Sequence, residues 1–310
     1  MFRIFFCDKS SSITRQLIGA VKSRPPTCLL ASSRNLSTVK LSYNVFGEPE
    51  SDTPPVVIMH GLFGSKQNWR SISKALQAKS RPPRQIITLD ARNHGDSPHS
   101  PEHTYSHLAA DIAAFLKEMN IPKAIVIGHS MGGRTMMYLA LKYPELVDRA
   151  VVVDISPKNE GRSFTGMANI FEAMQTIQVP PNLSMSQGRH QVKEHLQKAG
   201  IDAATIDFLL LNLRKSEEKG FYWVANVPAL QKYFDNITQF PLDELNSATY
   251  GGPALFIAGR KSDFVSENHL PAIKALFPNA QLVWLDTGHL VQLEKPAEFI
   301  SLVLDFINTK

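Results

Sequence analysis

Ala124-Ile125-Val126-Ile127-Gly128-His129-Ser130-Met131-Gly132-Gly133 is the stretch on which the reading of the whole chain turns. Its first half is an apolar run rich in β-branched residues, the pattern of a parallel strand buried on both faces. Met136, Met137, Leu139, Ala140 and Leu141 follow and read as a helix. Between the two, Gly128-His129-Ser130-Met131-Gly132 matches G-x-S-x-G, and a strand–turn–helix setting is what that pattern requires. So tight a turn strains the serine backbone, and a Cβ at either flanking glycine collides with the crossing strand or helix. Ser130 Oγ is thereby lifted clear of the sheet edge, with the Met131 N–H facing the space beside it.

Outward from this unit, strand and helix patterns alternate. Val39 to Phe46 alternates apolar and polar residues, and Val56–Met59 and Ile86–Leu89 read as further strands. Helical stretches contain Trp69, Ile72 and Leu76, and then Leu108, Ile112, Phe115 and Leu116. Ala150–Val153 is the strand after the serine unit. This rhythm predicts an α/β fold, a mostly parallel sheet covered by helices on both faces. It stops at Pro157, and up to about residue 250 the pattern is helical and amphipathic, with no convincing buried strand. Met167–Ile177, Gln191–Ala199 and Ala203–Leu213 are expected helices, Leu230–Phe240 a weaker one. Strands then resume at Ala254–Ala258 and Leu282–Leu285, with helices near His269–Phe277 and over Pro296–Ile307. Residues 157–250 therefore read as a helical cap inserted into one α/β domain spanning 37–310.

The formal charge of +5 is not a property of that domain. Residues 1–36 hold six basic side chains and one acidic one, against 33 and 28 in the whole chain, so the remainder is balanced. No basic stripe survives to suggest nucleic-acid binding. Residues 1–36 are rich in arginine and hydroxyls and nearly free of acids, which fits a mitochondrial presequence and a matrix address. Both cysteines, Cys7 and Cys28, fall within it, so disulfides and cysteine chemistry are not expected in the mature chain. No stretch approaches the ~20 consecutive apolar residues of a membrane-spanning helix.

A serine hydroxyl needs a base within hydrogen-bond reach to become a nucleophile. On this topology the acid and the histidine follow the serine in the chain. His289, in Thr287-Gly288-His289 after the last strand, is the best-placed base. His269 is its rival but falls on or near a helix. Two aspartates compete for the acid. Asp154 ends the strand after the serine unit and needs no change of register. Asp263 follows the next strand in Gly259-Arg260-Lys261-Ser262-Asp263, where Ser262 occupies the position expected of the carboxylate. Asp154 is favoured, with Ser262 adding a hydrogen bond, and Asp263 is the alternative. The glycines of His60-Gly61-Leu62-Phe63-Gly64 allow a second backbone donor, Leu62, to join Met131 in holding an oxyanion. His60 reads as a residue that orders this loop. His99, His103 and His107 recur every four residues, but Pro98 and Pro101 break any helix and no acidic ligand completes a set. No metal site is expected, and without a phosphate-binding loop or dinucleotide fingerprint no cofactor is either.

Taken together, His60-Gly-Leu-Phe-Gly, Asp90-Ala-Arg-Asn-His-Gly-Asp-Ser97, the serine unit, Val153-Asp-Ile-Ser-Pro157 and Gly288-His289 resemble the α/β-hydrolase superfamily over roughly residues 40–308. More narrowly they look like its mitochondrial α/β-hydrolase-domain members and bacterial acyl-ester hydrolases. Relatives often carry Gly-Gly-Asn-Ser where this chain has Gly259-Arg-Lys-Ser262. The resemblance implies a serine hydrolase of carboxylic esters or acyl thioesters, acylglycerols and other lipids included. It also implies a link to lipoylated 2-oxoacid dehydrogenase complexes such as the 2-oxoglutarate dehydrogenase complex. The alternative is a catalytically silent protein of the same fold that binds such a partner. Met167, Ile170, Phe171, Met174, Phe208, Leu209, Leu210, Phe221, Trp223 and Phe234 are candidate lining for an acyl pocket, although most of them serve equally well to pack cap helices.

Overall fold

Strand β1 (Tyr43–Phe46) pairs antiparallel with β3 (Ile86–Leu89), and every other neighbour in the main sheet is parallel. The remaining strands are β2 (Val56–Met59), β4 (Ala124–His129), β5 (Val147–Val153), β8 (Ala254–Gly259) and β9 (Ala280–Leu285), in the order β1-β3-β2-β4-β5-β8-β9. The computed structural model describes residues 36–50, 52–158, 164 and 166–309. The expected presequence, apart from Leu36, lies outside the described residues.

Alternation along the central strands sends successive side chains to opposite faces. Val57, Met59, Val126 and Val152 join one apolar cluster, with α2 (Tyr105–Glu118), α3 (Met131–Lys142) and α9 (Leu270–Leu276). Val56, Ile58, Ile125, Ile127, Val151 and Val153 join the other, with α1 (Arg70–Lys79) and α11 (Pro296–Asn308). Phe299, Val303 and Ile307 recur every four residues on α11, so one helical face meets the sheet. Full burial of each contributes on the order of 1.5–3 kcal/mol. Both faces are covered, and this is why these strands carry uninterrupted apolar runs.

Between β5 and β8 the chain leaves the sheet, yet Ala150 pairs directly with Ala254, so the excursion leaves the ladder continuous. It contains α4 (Met167–Thr176), α5 (Met185–Lys198), α6 (Ala203–Leu209), α7 (Val227–Lys232) and α8 (Phe234–Thr238). It also contains an antiparallel hairpin, β6 (Leu213–Ser216) and β7 (Gly220–Trp223), which corrects the expectation of a purely helical cap. Two four-residue strands are too short to display a period of two, and Gly220, at φ +63, supplies the bend between them. Helix α5 starts at Met185, six residues before the expected Gln191, because Ser184 and Gln187 form a reciprocal capping box. The expected helix over 203–213 is cut at Leu209 by a tighter turn over 210–212. The weak helix over 230–240 is two short ones that meet at Tyr233.

Arg134 of α3 ties the cap to the sheet layer. Its buried guanidinium donates to the carbonyls of Ser156 (3.1 Å), Lys158 (2.9 Å), Ile237 (3.2 Å) and Thr238 (2.6 Å). A second tie runs from Asn226, whose side chain meets Asn93 Oδ1 at 3.0 Å.

Candidate active site

Chain direction diverges where β2 and β4 lie side by side: β2 leads to β3 on one side, and β4 leads to β5 on the other. In open parallel sheets the carboxyl ends of such a pair enclose a crevice. His60-Gly61-Leu62-Phe63 leaves β2 at this point and His129-Ser130 leaves β4. Ser130 takes φ +52 and ψ −118, a conformation costly for a non-glycine residue. Its neighbours show why they are glycines. A Cβ on Gly128 meets the Gly132 carbonyl at 2.2 Å, and one on Gly132 meets the Met59 and His60 carbonyls at 2.5 Å. The Ser130 N–H donates to the Val153 carbonyl at 3.0 Å, fixing the strained turn to the next strand.

His289 lies in the short loop between β9 and α10 (Val291–Glu294), a helix of one turn that the sequence did not suggest. Its Nδ1 is 2.7 Å from Asp154 Oδ2. Asp154 is fully buried, at φ +48, and its other oxygen accepts the Gly259 N–H at 2.8 Å. Ser262 Oγ donates a short bond to Asp154 Oδ2. Asp263 is exposed, and the carboxylate on the imidazole is that of Asp154. With Nδ1–H donated to Asp154, His289 keeps Nε2 as its basic nitrogen. The rival, His269, is buried before α9 and bonded through Nδ1 to Ser156 Oγ at 2.8 Å.

Three residues hold His289 that the sequence did not single out. Phe264 stacks on the imidazole, ring centroids 3.8 Å apart and planes 18° apart. His129 Nε2–H donates to the His289 carbonyl at 2.8 Å. Burial, reinforced by the adjacent His289 ring, holds His129 well below the ordinary imidazole range. Glu294 brackets the loop, accepting the N–H of Gly288 at 2.8 Å and of Leu290 at 3.3 Å. None of these carries a local signal: each acts through a partner distant in sequence or through backbone.

The loop after β2 rests on histidines. His60 Nδ1–H donates to the Gly61 carbonyl (2.7 Å) and Nε2 accepts the Ala91 N–H (3.1 Å), the ordering role its position suggests. His94 Nε2 accepts the Phe63 N–H at 3.1 Å. His103 is buried, with Nε2 3.3 Å from Met131 Sδ; burial foremost, then the charge of Arg92, pushes it down to about 3. His99 bonds to the Val224 carbonyl on the cap, and His107, in the first turn of α2, meets the capping Thr104 Oγ1 through Nδ1 at 2.7 Å. The three therefore face different partners.

Ser130 and His289 line one cavity of about 590 Å³, together with Gly61, Leu62 and Phe63. Met167, Ile170, Phe208 and Leu209 supply its apolar wall from the cap. The other expected lining residues lie elsewhere. Phe171, Met174 and Leu210 are packed in the core, Phe234 edges onto Phe171, and Phe221 and Trp223 border a separate groove on the cap. Helical spacing shows which side chains leave the solvent, and only tertiary contact decides which of them face a cavity.

Residues 54–296 match the family described as alpha/beta hydrolase fold. The chain is 39% identical over 278 residues to the Danio rerio protein named sn-1-specific diacylglycerol lipase ABHD11, covering 89% of this chain and 85% of that one. It is 34% identical to a probable alcohol acetyltransferase of Saccharomyces cerevisiae, over 86% of this chain and 83% of the relative. Among solved structures, a marine microorganism esterase superposes with a TM-score of 0.77 at 30% identity, covering 87% of this chain and 100% of that one. The chain belongs to the α/β-hydrolase fold family.

Proposed function

We propose that this protein is a serine hydrolase of carboxylic esters or acyl thioesters, with lipid or acylglycerol substrates, working through Ser130, His289 and Asp154. The observation that carries the reading is the 2.7 Å contact of His289 with a buried carboxylate, in an imidazole that shares a cavity with a strained, glycine-flanked serine. Asp154 fixes the tautomer in which Nε2 is free to take the serine proton, and it stabilises the imidazolium that forms. Ser130 Oγ adds to the acyl carbonyl while His289 takes its proton. The tetrahedral oxyanion is held by backbone N–H groups. In the loop after β2, Phe63 N–H is committed to His94 and Gly64 N–H to the Gly61 carbonyl, and the Leu62 N–H is the donor assigned, beside Met131 at the start of α3. Collapse expels the alcohol or thiol, protonated by His289. Water then adds to the acyl-enzyme by the same route and releases the acid.

The apolar cap wall suits a fatty acyl chain, and the diacylglycerol lipase named among the relatives supports an acylglycerol substrate. The relative named as an alcohol acetyltransferase favours a second fate for the same intermediate, attack by an alcohol in place of water. The matrix address belongs to the same proposal and rests on the composition of residues 1–36. Burst kinetics on a chain-length series of p-nitrophenyl esters, with and without added alcohol, test the reading. A stoichiometric burst that disappears in Ser130→Ala is expected; turnover retained by Ser130→Ala contradicts it.

A further inference from the structure

Phe63 sits at φ +59, a left-handed conformation that a bulky residue holds only where its surroundings impose it. Its N–H donates to His94 Nε2 at 3.1 Å, and its carbonyl accepts from Asn212 Nδ2 at 2.7 Å. The ring lies against Phe171 of α4, centroids 5.5 Å apart. His94 belongs to the loop after β3, whereas Asn212 and Phe171 belong to the cap. One strained residue is thus gripped from two layers of the molecule.

Both grips are chemically fixed. His94 donates Nδ1–H to the Arg92 carbonyl at 3.0 Å, so its Nε2 can only accept. Asn212 is buried, and its Nδ2 faces two acceptors, the Phe63 carbonyl and the Leu209 carbonyl at 3.4 Å, which only an amide nitrogen can satisfy. The Asn212 carbonyl takes the Val224 N–H at 2.8 Å, which closes the base of the β6–β7 hairpin and stiffens the tether. One turn before it, Phe208 and Leu209 of α6 form part of the cavity wall. An acyl chain lying on that wall would rest on the helix that leads into the turn bearing Asn212.

We infer that Asn212 is a positioning residue through which the cap sets the oxyanion donor. By holding the Phe63 carbonyl it keeps the Leu62 N–H aimed at the oxyanion, and an acyl chain seated against α6 tightens that hold. The inference rests on the serine-hydrolase reading above. It routes part of the chain's binding energy into kcat instead of KM, because the interaction that improves is made only with the charged oxygen.

Alkyl trifluoromethyl ketones test it, because Ser130 Oγ adds to their carbonyl, the proton passes to His289 and the oxygen becomes an oxyanion. The matching methyl ketones serve as controls for ordinary binding. In the unaltered protein the affinity ratio of trifluoromethyl to methyl ketone rises with chain length. In Asn212→Ala and Asn212→Asp the ratio for long chains drops by about 10²-fold, the loss of one oxyanion donor, and its length dependence flattens. Ester kcat falls with it while KM changes less, and His94→Leu, which frees the Phe63 N–H, gives the same signature from the other side of that residue. A merely structural role lowers the melting temperature and weakens both ketones alike. A ratio independent of chain length in the unaltered protein, or unchanged in folded Asn212→Ala, overturns the inference; the first needs no variant to fold. Absence of any hemiketal adduct in the unaltered protein defeats the hydrolase reading itself, a different outcome.

Discussion

Asp154 and Ser130 share an unusual property: each is a non-glycine residue held at positive φ directly after a strand, Ser130 behind β4 and Asp154 behind β5. Strain of this kind persists only where the surroundings over-determine it. For Asp154 they are the Gly259 N–H, Ser262 Oγ and His289 Nδ1, all of which donate to its carboxylate oxygens. Asp154→Asn is therefore expected to lower kcat for an ester by about 10³–10⁴, the cost of the wrong tautomer, whereas exposed Asp263→Asn stays within a few-fold. Steady-state kinetics of the two variants decide it, and the reverse ranking refutes the assignment. Gly128→Ala is a second expectation at this scale. Its Cβ falls 2.2 Å from a main-chain oxygen that cannot move without unwinding the first turn of α3, so the variant loses cooperative unfolding or several degrees of melting temperature. Ser130, His289, Asp154 and Asp263 were legible in the sequence as candidates because each follows a recognisable apolar strand. Glu294, His129 and Phe264 were not, because a carboxylate on two loop N–H groups and a ring stacked on another ring leave no pattern in residue order.

Elements of the sheet layer were legible for a plain reason: strands covered on both faces must be apolar throughout, and helices packed on one face must repeat near 3.6. The cap offered less. Its short hairpin and broken helices are stabilised by contacts with residues far away in sequence, such as Asn212 with Phe63 and Arg134 with four carbonyls. Arg134 lies on α3 and grips the inserted segment at its start, after β5, and again at the end of α8. Arg134→Met keeps the length and apolar stem but abandons those carbonyls. It should cost about 1–3 kcal/mol or more in urea unfolding and bring early proteolytic nicking near residues 237–238, ahead of the sheet layer. Nicking and unfolding at wild-type rates count against this role for the guanidinium.

Across the whole molecule, parallel strands bring the carboxyl ends of β4, β5 and β9 to one edge, which is how Ser130 and His289 come to line one cavity, and Asp154 to bond with His289, although far apart in the chain. The same edge buries several imidazoles in neutral form. His60, His94 and His129 are all held below the ordinary range, chiefly by burial, and His103 is at about 3. Between about pH 6.5, where an unfolded histidine takes up its proton, and about 3, the unfolded chain binds protons that the folded one refuses. Stability from His103 is thus complete above that window and drains as pH falls through it, by up to about 1.4 kcal/mol per unit. Urea midpoints measured from pH 7 to pH 4.5 should fall steadily, and His103→Gln should flatten the slope; a midpoint that holds or rises on acidification contradicts the account. The central claim, that Ser130 is the nucleophile of an acyl transfer, meets its most direct test in a fluorophosphonate probe and mass spectrometry of the digested protein. The expected result is a single adduct on the peptide containing Ser130, absent in Ser130→Ala and slowed in His289→Gln. No adduct on the unaltered protein, or one that survives Ser130→Ala, contradicts it.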